Sequence, residues 1–172
     1  MVARIRQTAQ APDRRSTRAP PGRHARGTRA PPELTCLAEA TWTRGESLPE
    51  WSNTRIQSAH DLILETTGEA YSPQRLRMLP LNPDFGNWIL EYEGEIIGLL
   101  WAMRLSKTRC RVLAFCVAPG HQGDSHGTEG WRCFAEAARS QGQTNIQLEV
   151  RQSNETAIGM YGRRGLRPAG RV

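Results

Sequence analysis

The sequence lacks several features that would place it in common protein classes. It has only four cysteines, Cys36, Cys110, Cys116 and Cys133, and their spacings fit neither a zinc site nor a redox pair. That points to reduced thiols and a cytoplasmic location. The four histidines, His24, His60, His121 and His126, are scattered, and no metal is expected. No apolar run approaches the roughly 18 residues of a membrane span, so no membrane partner is expected. Acids are nearly absent from the first 32 residues, which hold eight arginines and Asp13 alone. The remainder holds 15 basic and 16 acidic residues, so the formal charge of +6 comes from a basic tail and the body is close to neutral.

What is there begins with that tail. Pro12, Pro20, Pro21, Pro31 and Pro32 interrupt any helix, and the few apolar residues cannot offset the entropy of ordering. Residues 1–48 are therefore expected to be a disordered Arg/Pro-rich extension, with the domain proper over 49–172. For the tail itself, contact with RNA or the ribosome through phosphates, an organellar transit role and a solvated segment without a specific role all stand open. Leu34, Leu37, Ala38 and Trp42 have helical spacing, broken by Gly45 and Pro49.

Within the domain, Thr54 to Gln57 reads as a short strand. Ser58 is placed to cap a helix from about Ala59 to Ala70, and Pro73 to open a second helix ending near Leu79. A hairpin follows: Trp88 to Tyr92 and Glu95 to Trp101 flank the tight-turn pair Glu93-Gly94. Arg111 to Val117 is nearly continuous in apolar residues, as a strand covered on both faces would be.

After Val117 come Gln122, Gly123, Asp124, Ser125, His126, Gly127 and Thr128, then a helix from about Thr128 to Gln141. A strand, a glycine-bearing loop and a helix start suit an anion such as pyrophosphate. Backbone N–H groups can face it, and the helix dipole favours negative charge there. An ordinary strand-to-helix connection fits the same pattern.

The most informative stretch is Leu148-Glu149-Val150-Arg151-Gln152-Ser153-Asn154-Glu155-Thr156-Ala157-Ile158-Gly159-Met160-Tyr161. Ile146, Leu148 and Val150 alternate with polar residues, the period of a half-buried strand. Ser153-Asn154 then turns into a helix carrying Ala157, Ile158 and Tyr161 on one face. A carboxylate and a phenol are thereby brought toward one cleft. By residue type alone, the ordinary readings are a surface position for Glu149, a packing aromatic for Tyr161 and a helix cap for Asn154.

This stretch resembles the GNAT N-acetyltransferase superfamily, most of all the ribosomal-protein alanine N-acetyltransferases, whose pattern Leu-Glu-Val-Arg-x-Ser-Asn-x-x-Ala-Ile-x-x-Tyr it nearly reproduces. The resemblance spans roughly residues 54–170. It implies a mixed α/β (α+β) acyl-CoA N-acyltransferase fold with a splayed central strand pair, 111–117 and 144–151. It implies acetyl-CoA as co-substrate and transfer of acetyl to an amine, most of all the α-amine of a protein N-terminus, perhaps ribosomal. A lysine, a small-molecule amine, or a degenerate domain that only binds acyl-CoA are the alternatives. On the same basis Glu149 is the general base and Tyr161 the general acid. Phe115, Cys116 and Val117, the loop residues Gln122, Gly123, Asp124, Ser125, His126, Gly127 and Thr128, and Asn154 hold the co-substrate. The chemistry needs a base because a protonated amine cannot attack a thioester, and an acid because a thiolate must leave.

The sequence departs from the family at Ser125, where a glycine is usual, and at Asp124, a negative charge beside the expected pyrophosphate. Gly130 inside the third helix costs about 1 kcal/mol against alanine. The family's last strand is expected to be missing after Gly165-Leu166, leaving a sheet edge unpaired. A homodimer is one way to cover such an edge.

Overall fold

The Glu93-Gly94 turn forms as expected, with φ of 51° and 84°. It joins Asn87–Tyr92 (β3) to Glu95–Arg104 (β4). The computed structural model describes residues 2–8 and 39–171. Around the hairpin stand Val2–Thr8 (β1), Thr41–Arg44 (β2), Arg109–Val117 (β5), Asn145–Arg151 (β6) and Arg167–Arg171 (β7). The seven strands form one sheet in the order β2-β3-β4-β5-β6-β1-β7. Neighbours are antiparallel except β5 and β6, which run parallel.

Helices cover both faces, which explains the near-continuous apolar strands. Along β4, Leu99 and Trp101 belong to one core and Leu100 to the other, as the two-residue period requires. Asn53–Thr67 (α1) and Pro73–Arg77 (α2) close the first core with Ile56, Ile63 and Leu76. His126–Ser140 (α3) and Glu155–Arg163 (α4) close the second with Trp131, Phe134 and Tyr161. Arg77 ties α2 to α1, donating from Nη1 to the Trp51 carbonyl at 2.6 Å and from Nη2 to Asn53 Oδ1 at 2.9 Å.

Three expectations are corrected. Residues 54–57 are not a strand but the first turn of α1. Ser52, not Ser58, supplies the cap, its hydroxyl accepting from the Arg55 N–H at 3.1 Å. That start puts Ile56, Ala59, Leu62 and Ile63 on one buried stripe. The folded body also begins before residue 49. Trp42 is a buried residue of β2, paired in register with Leu90, because the edge of β3 offers it a ladder and a core seat that a short isolated helix would not.

The third correction concerns both ends. β7 follows α4, and β1, from within the extension expected to be disordered, lies between β6 and β7. Arg4 is the register partner of Glu149 and Ile5 that of Leu148. The backbone groups of β6 that would otherwise form an open edge gain a ladder there. The remaining expectation of disorder, over residues 9–38, lies outside the described residues.

The glycine of α3 also has its reason. A Cβ on Gly130 would stand 2.5 Å from the Trp42 ring. The Trp42 indole N–H donates to the His126 carbonyl at 2.8 Å, so β2 and the first turn of α3 approach through that missing side chain.

Candidate active site

The site opens where two strands part. β5 and β6 are paired only over Arg109–Arg111 and Asn145–Gln147. Beyond them the strands diverge around a cavity of about 640 Å³, walled by Phe115, Cys116 and Val117 on one side and by Leu148, Glu149 and Val150 on the other. The Ala118 N–H bonds back to the Ile97 carbonyl at 2.7 Å. Amides alternate in direction along a strand, so those of Val117 and Phe115 face away from β4, toward the gap. They are ready-made donors for an oxygen bound there.

At one end the cavity meets the loop before α3. Gln122, Gly123 and Gly127 line it, whereas Asp124, Ser125, His126 and Thr128 are not among its walls. The Gln122 side chain donates to the Val117 carbonyl at 2.8 Å and so fixes the loop against β5. Ser125 has φ of 65°, the left-handed conformation that favours glycine, and its side chain caps nothing. The Thr128 and Glu129 N–H groups bond to the Ser125 carbonyl at 2.9 and 3.0 Å, while the His126 and Gly127 N–H groups ahead of them have no carbonyl a turn back in the helix, which makes this end attractive to an anion. Arg164 adds a cation that the sequence reading missed. Its Nη2 donates to Thr128 Oγ1 at 2.9 Å, and its Nη1 to the Met160 carbonyl at 2.9 Å. The adjacent pair Arg163-Arg164 at the end of α4 was the available signal.

Glu149 faces the cavity from β6, and Arg111 Nη2 stands 2.9 Å from its Oε2. Its side chain keeps 26% exposure, so solvent reaches it. Tyr161 lines the same cavity at 6% exposure, edge-on to Trp131 at 5.5 Å. Burial raises the phenol's pKa well above the usual value of 10, with Arg164 opposing the shift, so the ring oxygen keeps its proton at working pH. Asn154 lines the cavity and also caps α4, its Oδ1 accepting from the Ala157 N–H at 3.0 Å. Cys116 also lines the wall. Burial pushes its thiol up to about 11, so it is a protonated wall residue and not a nucleophile.

A second, smaller cavity of about 190 Å³ shares Glu149 and Arg151 with the first and extends beneath α1 and α2. Glu69, Tyr71, Trp101 and Arg111 line it, and none was singled out from sequence as a site residue. The Tyr71 hydroxyl donates to Glu69 Oε2 at 2.6 Å, and this bond raises the phenol's pKa. Among the described residues no three His, Cys, Asp or Glu side chains gather as a metal site would. No helix among them is long and apolar enough to cross a membrane.

A splayed parallel pair with inward amides, an anion-accepting helix start, a carboxylate and a buried phenol define an acyl-transfer site. The Acetyltransferase (GNAT) family matches residues 56–166, and the chain belongs to that family. Solved structures agree in fold. Ard1 of Thermoplasma volcanium is 23% identical, with 73% of this chain and 81% of that one covered at a TM-score of 0.63. The ribosomal-protein-S18-alanine N-acetyltransferase of Escherichia coli is 17% identical over 74% and 77%, TM-score 0.61. A GNAT acetyltransferase of Elizabethkingia anophelis with acetyl-CoA bound is 14% identical over 74% and 76%, TM-score 0.59. No curated protein matches the chain by sequence.

Proposed function

We propose that this acetyltransferase moves acetyl from acetyl-CoA to the α-amino group of a protein N-terminus, with Glu149 as general base and Tyr161 as general acid. The observation that carries the proposal is Glu149's position on a wall common to both cavities. The larger cavity suits the thioester and its pantetheine arm, and the smaller is the size of one side chain. Glu149 takes the proton that the amine must lose. The Val117 and Phe115 amides hold the carbonyl oxygen as negative charge develops on it. Tyr161, still protonated, donates to the leaving sulfur. Gln122, Gly123 and Gly127, with the start of α3 and Arg164, hold the phosphates, and Asn154 contacts the arm. Structural kinship with a ribosomal-protein N-acetyltransferase supports a peptide acceptor.

The test is acetyl transfer from labelled acetyl-CoA to three acceptors: peptides with a free N-terminus, peptides blocked there but carrying lysine, and small polyamines. Transfer confined to the free N-termini is expected. Preference for lysine or a polyamine would overturn the acceptor assignment, and binding of acetyl-CoA without any transfer would make this a non-catalytic member.

A further inference from the structure

We propose that Arg151 draws in a carboxylate on the acceptor's second residue, so that N-termini with aspartate or glutamate in second place are preferred. This rests on the protein N-terminus as acceptor. Arg151 lines both cavities, as Glu149 does. It stands two residues further along β6 and on the same side of the sheet, roughly 6.5–7 Å away. In an extended peptide neighbouring Cα atoms are about 3.8 Å apart, which carries a second-residue carboxylate roughly 6–7 Å from the amine. With the amine at Glu149, that carboxylate comes within reach of the Arg151 guanidinium.

Arg151 is exposed and forms no ion pair among the described residues, whereas Arg111 is paired with Glu149. A Cβ on Gly68, the left-handed residue that ends α1, would lie 3.4 Å from Arg151 Nη1. The side chain therefore reaches from β6 to the end of α1. The helix dipole alone makes that a favourable place for a cation, so the local charge balance decides whether it does more. On the facing wall, Glu69, Arg75 and Arg111 act electrostatically on the Tyr71 hydroxyl. Glu69 and Glu149 are thus set against Arg75, Arg111 and Arg151, which leaves one positive charge in excess among these described residues. An N-terminal amine is largely a cation at neutral pH. The proton it gives up neutralises Glu149 and adds to the excess. A carboxylate carried by the acceptor offsets both, and it can take two parallel N–H bonds from a guanidinium. An amide of the same shape brings no charge and a single acceptor oxygen.

The experiment compares peptides with free N-termini that differ only at the second residue, in pairs of matched shape: glutamate against glutamine, and aspartate against asparagine. We expect the acidic member to lead in kcat/KM by about two- to fivefold at low salt, mainly through KM, the scale of an exposed ion pair. The lead should shrink as salt is raised. In Arg151→Gln it should vanish, and in Arg151→Lys most of it should remain. Equal or greater rates for the amide peptides in the natural chain overturn the preference, whatever the variants do. An acidic preference that survives at full size in Arg151→Gln overturns the part given to Arg151. A side chain that only caps α1 would lower the melting temperature in Arg151→Gln and leave the peptide ratio untouched, which also overturns it. So would a rise in the KM for acetyl-CoA with an unaltered peptide ratio, since Arg151 would then serve the co-substrate. Failure of every peptide beside transfer to a small amine overturns the underlying reading, and this preference with it.

Discussion

Arg111 reaches across from β5 to β6 and places Nη2 2.9 Å from Glu149 Oε2, at the point where the two strands stop pairing. The pair spans the mouth of the splay, and both side chains are about one-third exposed. It therefore contributes little to stability, about 0–1 kcal/mol. That separates catalysis from folding. Glu149→Gln should leave the melting temperature within a few degrees of the natural chain and lower kcat by roughly 10²–10⁴, the range for general-base loss. Steady-state kinetics beside calorimetry checks both, and an unaltered kcat would remove Glu149 from the mechanism.

Ser125 stands in the left-handed region with φ of 65° and gains no capping bond in return. Ser125→Gly should stabilise the chain by roughly 1 kcal/mol by removing the Cβ penalty. Titration with acetyl-CoA should show binding at least as tight as in the natural chain, because Ser125 is not itself a wall of the larger cavity. Weaker binding to the glycine variant would mean that the serine hydroxyl takes part.

At Gly130 two rules of opposite sign compete. Helix propensity favours alanine by about 1 kcal/mol. The added Cβ would meet the Trp42 ring at 2.5 Å, and the ring is held by its bond to the His126 carbonyl. Overpacking of this kind costs about 1–3 kcal/mol, so Gly130→Ala should destabilise in chemical denaturation. In a Trp42→Ala background the same change should become stabilising.

Much of this arrangement was legible in the sequence. The 148–161 stretch carries its period, its cap, its carboxylate and its phenol within one local unit, and Glu149 and Tyr161 line one cavity. Gln122, Gly123 and Gly127 were likewise readable as a loop before a helix. The second cavity was not, because Trp101, Arg111 and Tyr71 come from β4, β5 and the segment between α1 and α2, and only long-range packing brings them together. Trp42 was misread because its spacing to Leu37 and Ala38 suits a helix, while the edge of β3 decides the outcome. In Val2–Thr8 the alternation of Ala3 and Ile5 with Arg4 and Arg6 was a strand signal. The arginine and proline content around it outweighed that signal.

Alkaline stability follows from the buried acids. Burial raises Cys116 from 9.0 to about 11, Cys110 from 9.0 to about 12, and Tyr161 above 10.0. In each case the folded state holds its proton after the unfolded chain has lost it. Stability is therefore undiminished below about pH 9 and falls as pH rises from there through the folded values, by up to about 1.4 kcal/mol per pH unit for each group. Tyr161→Phe should lessen the fall above pH 10 and leave the region between pH 9 and 10 unchanged. Denaturant midpoints measured from pH 8 to pH 11 would show it, and a flat profile would contradict the burial of these groups.

The ladder between β1 and β6 carries the last prediction. Ala3 to Gln7 pair with Val150 to Ile146, so one side of the strand bearing Glu149 is bonded to a segment far away in sequence. Removing residues 1–8 would return the β6 amides that face β1 to water and separate β7 from the sheet. Hydrogen exchange should then accelerate at alternate amides of β6, those not directed toward β5, and the melting temperature should fall. Adding a peptide of residues 1–8 should restore protection in proportion to its concentration, since a strand that pairs through its backbone can do so without the covalent link. Unchanged exchange in the shortened chain would show that β6 draws its order from the α3 and α4 side alone. In that case Glu149 would be positioned by the core formed by Leu148 and Val150 and by its pair with Arg111, without help from the strand beside it.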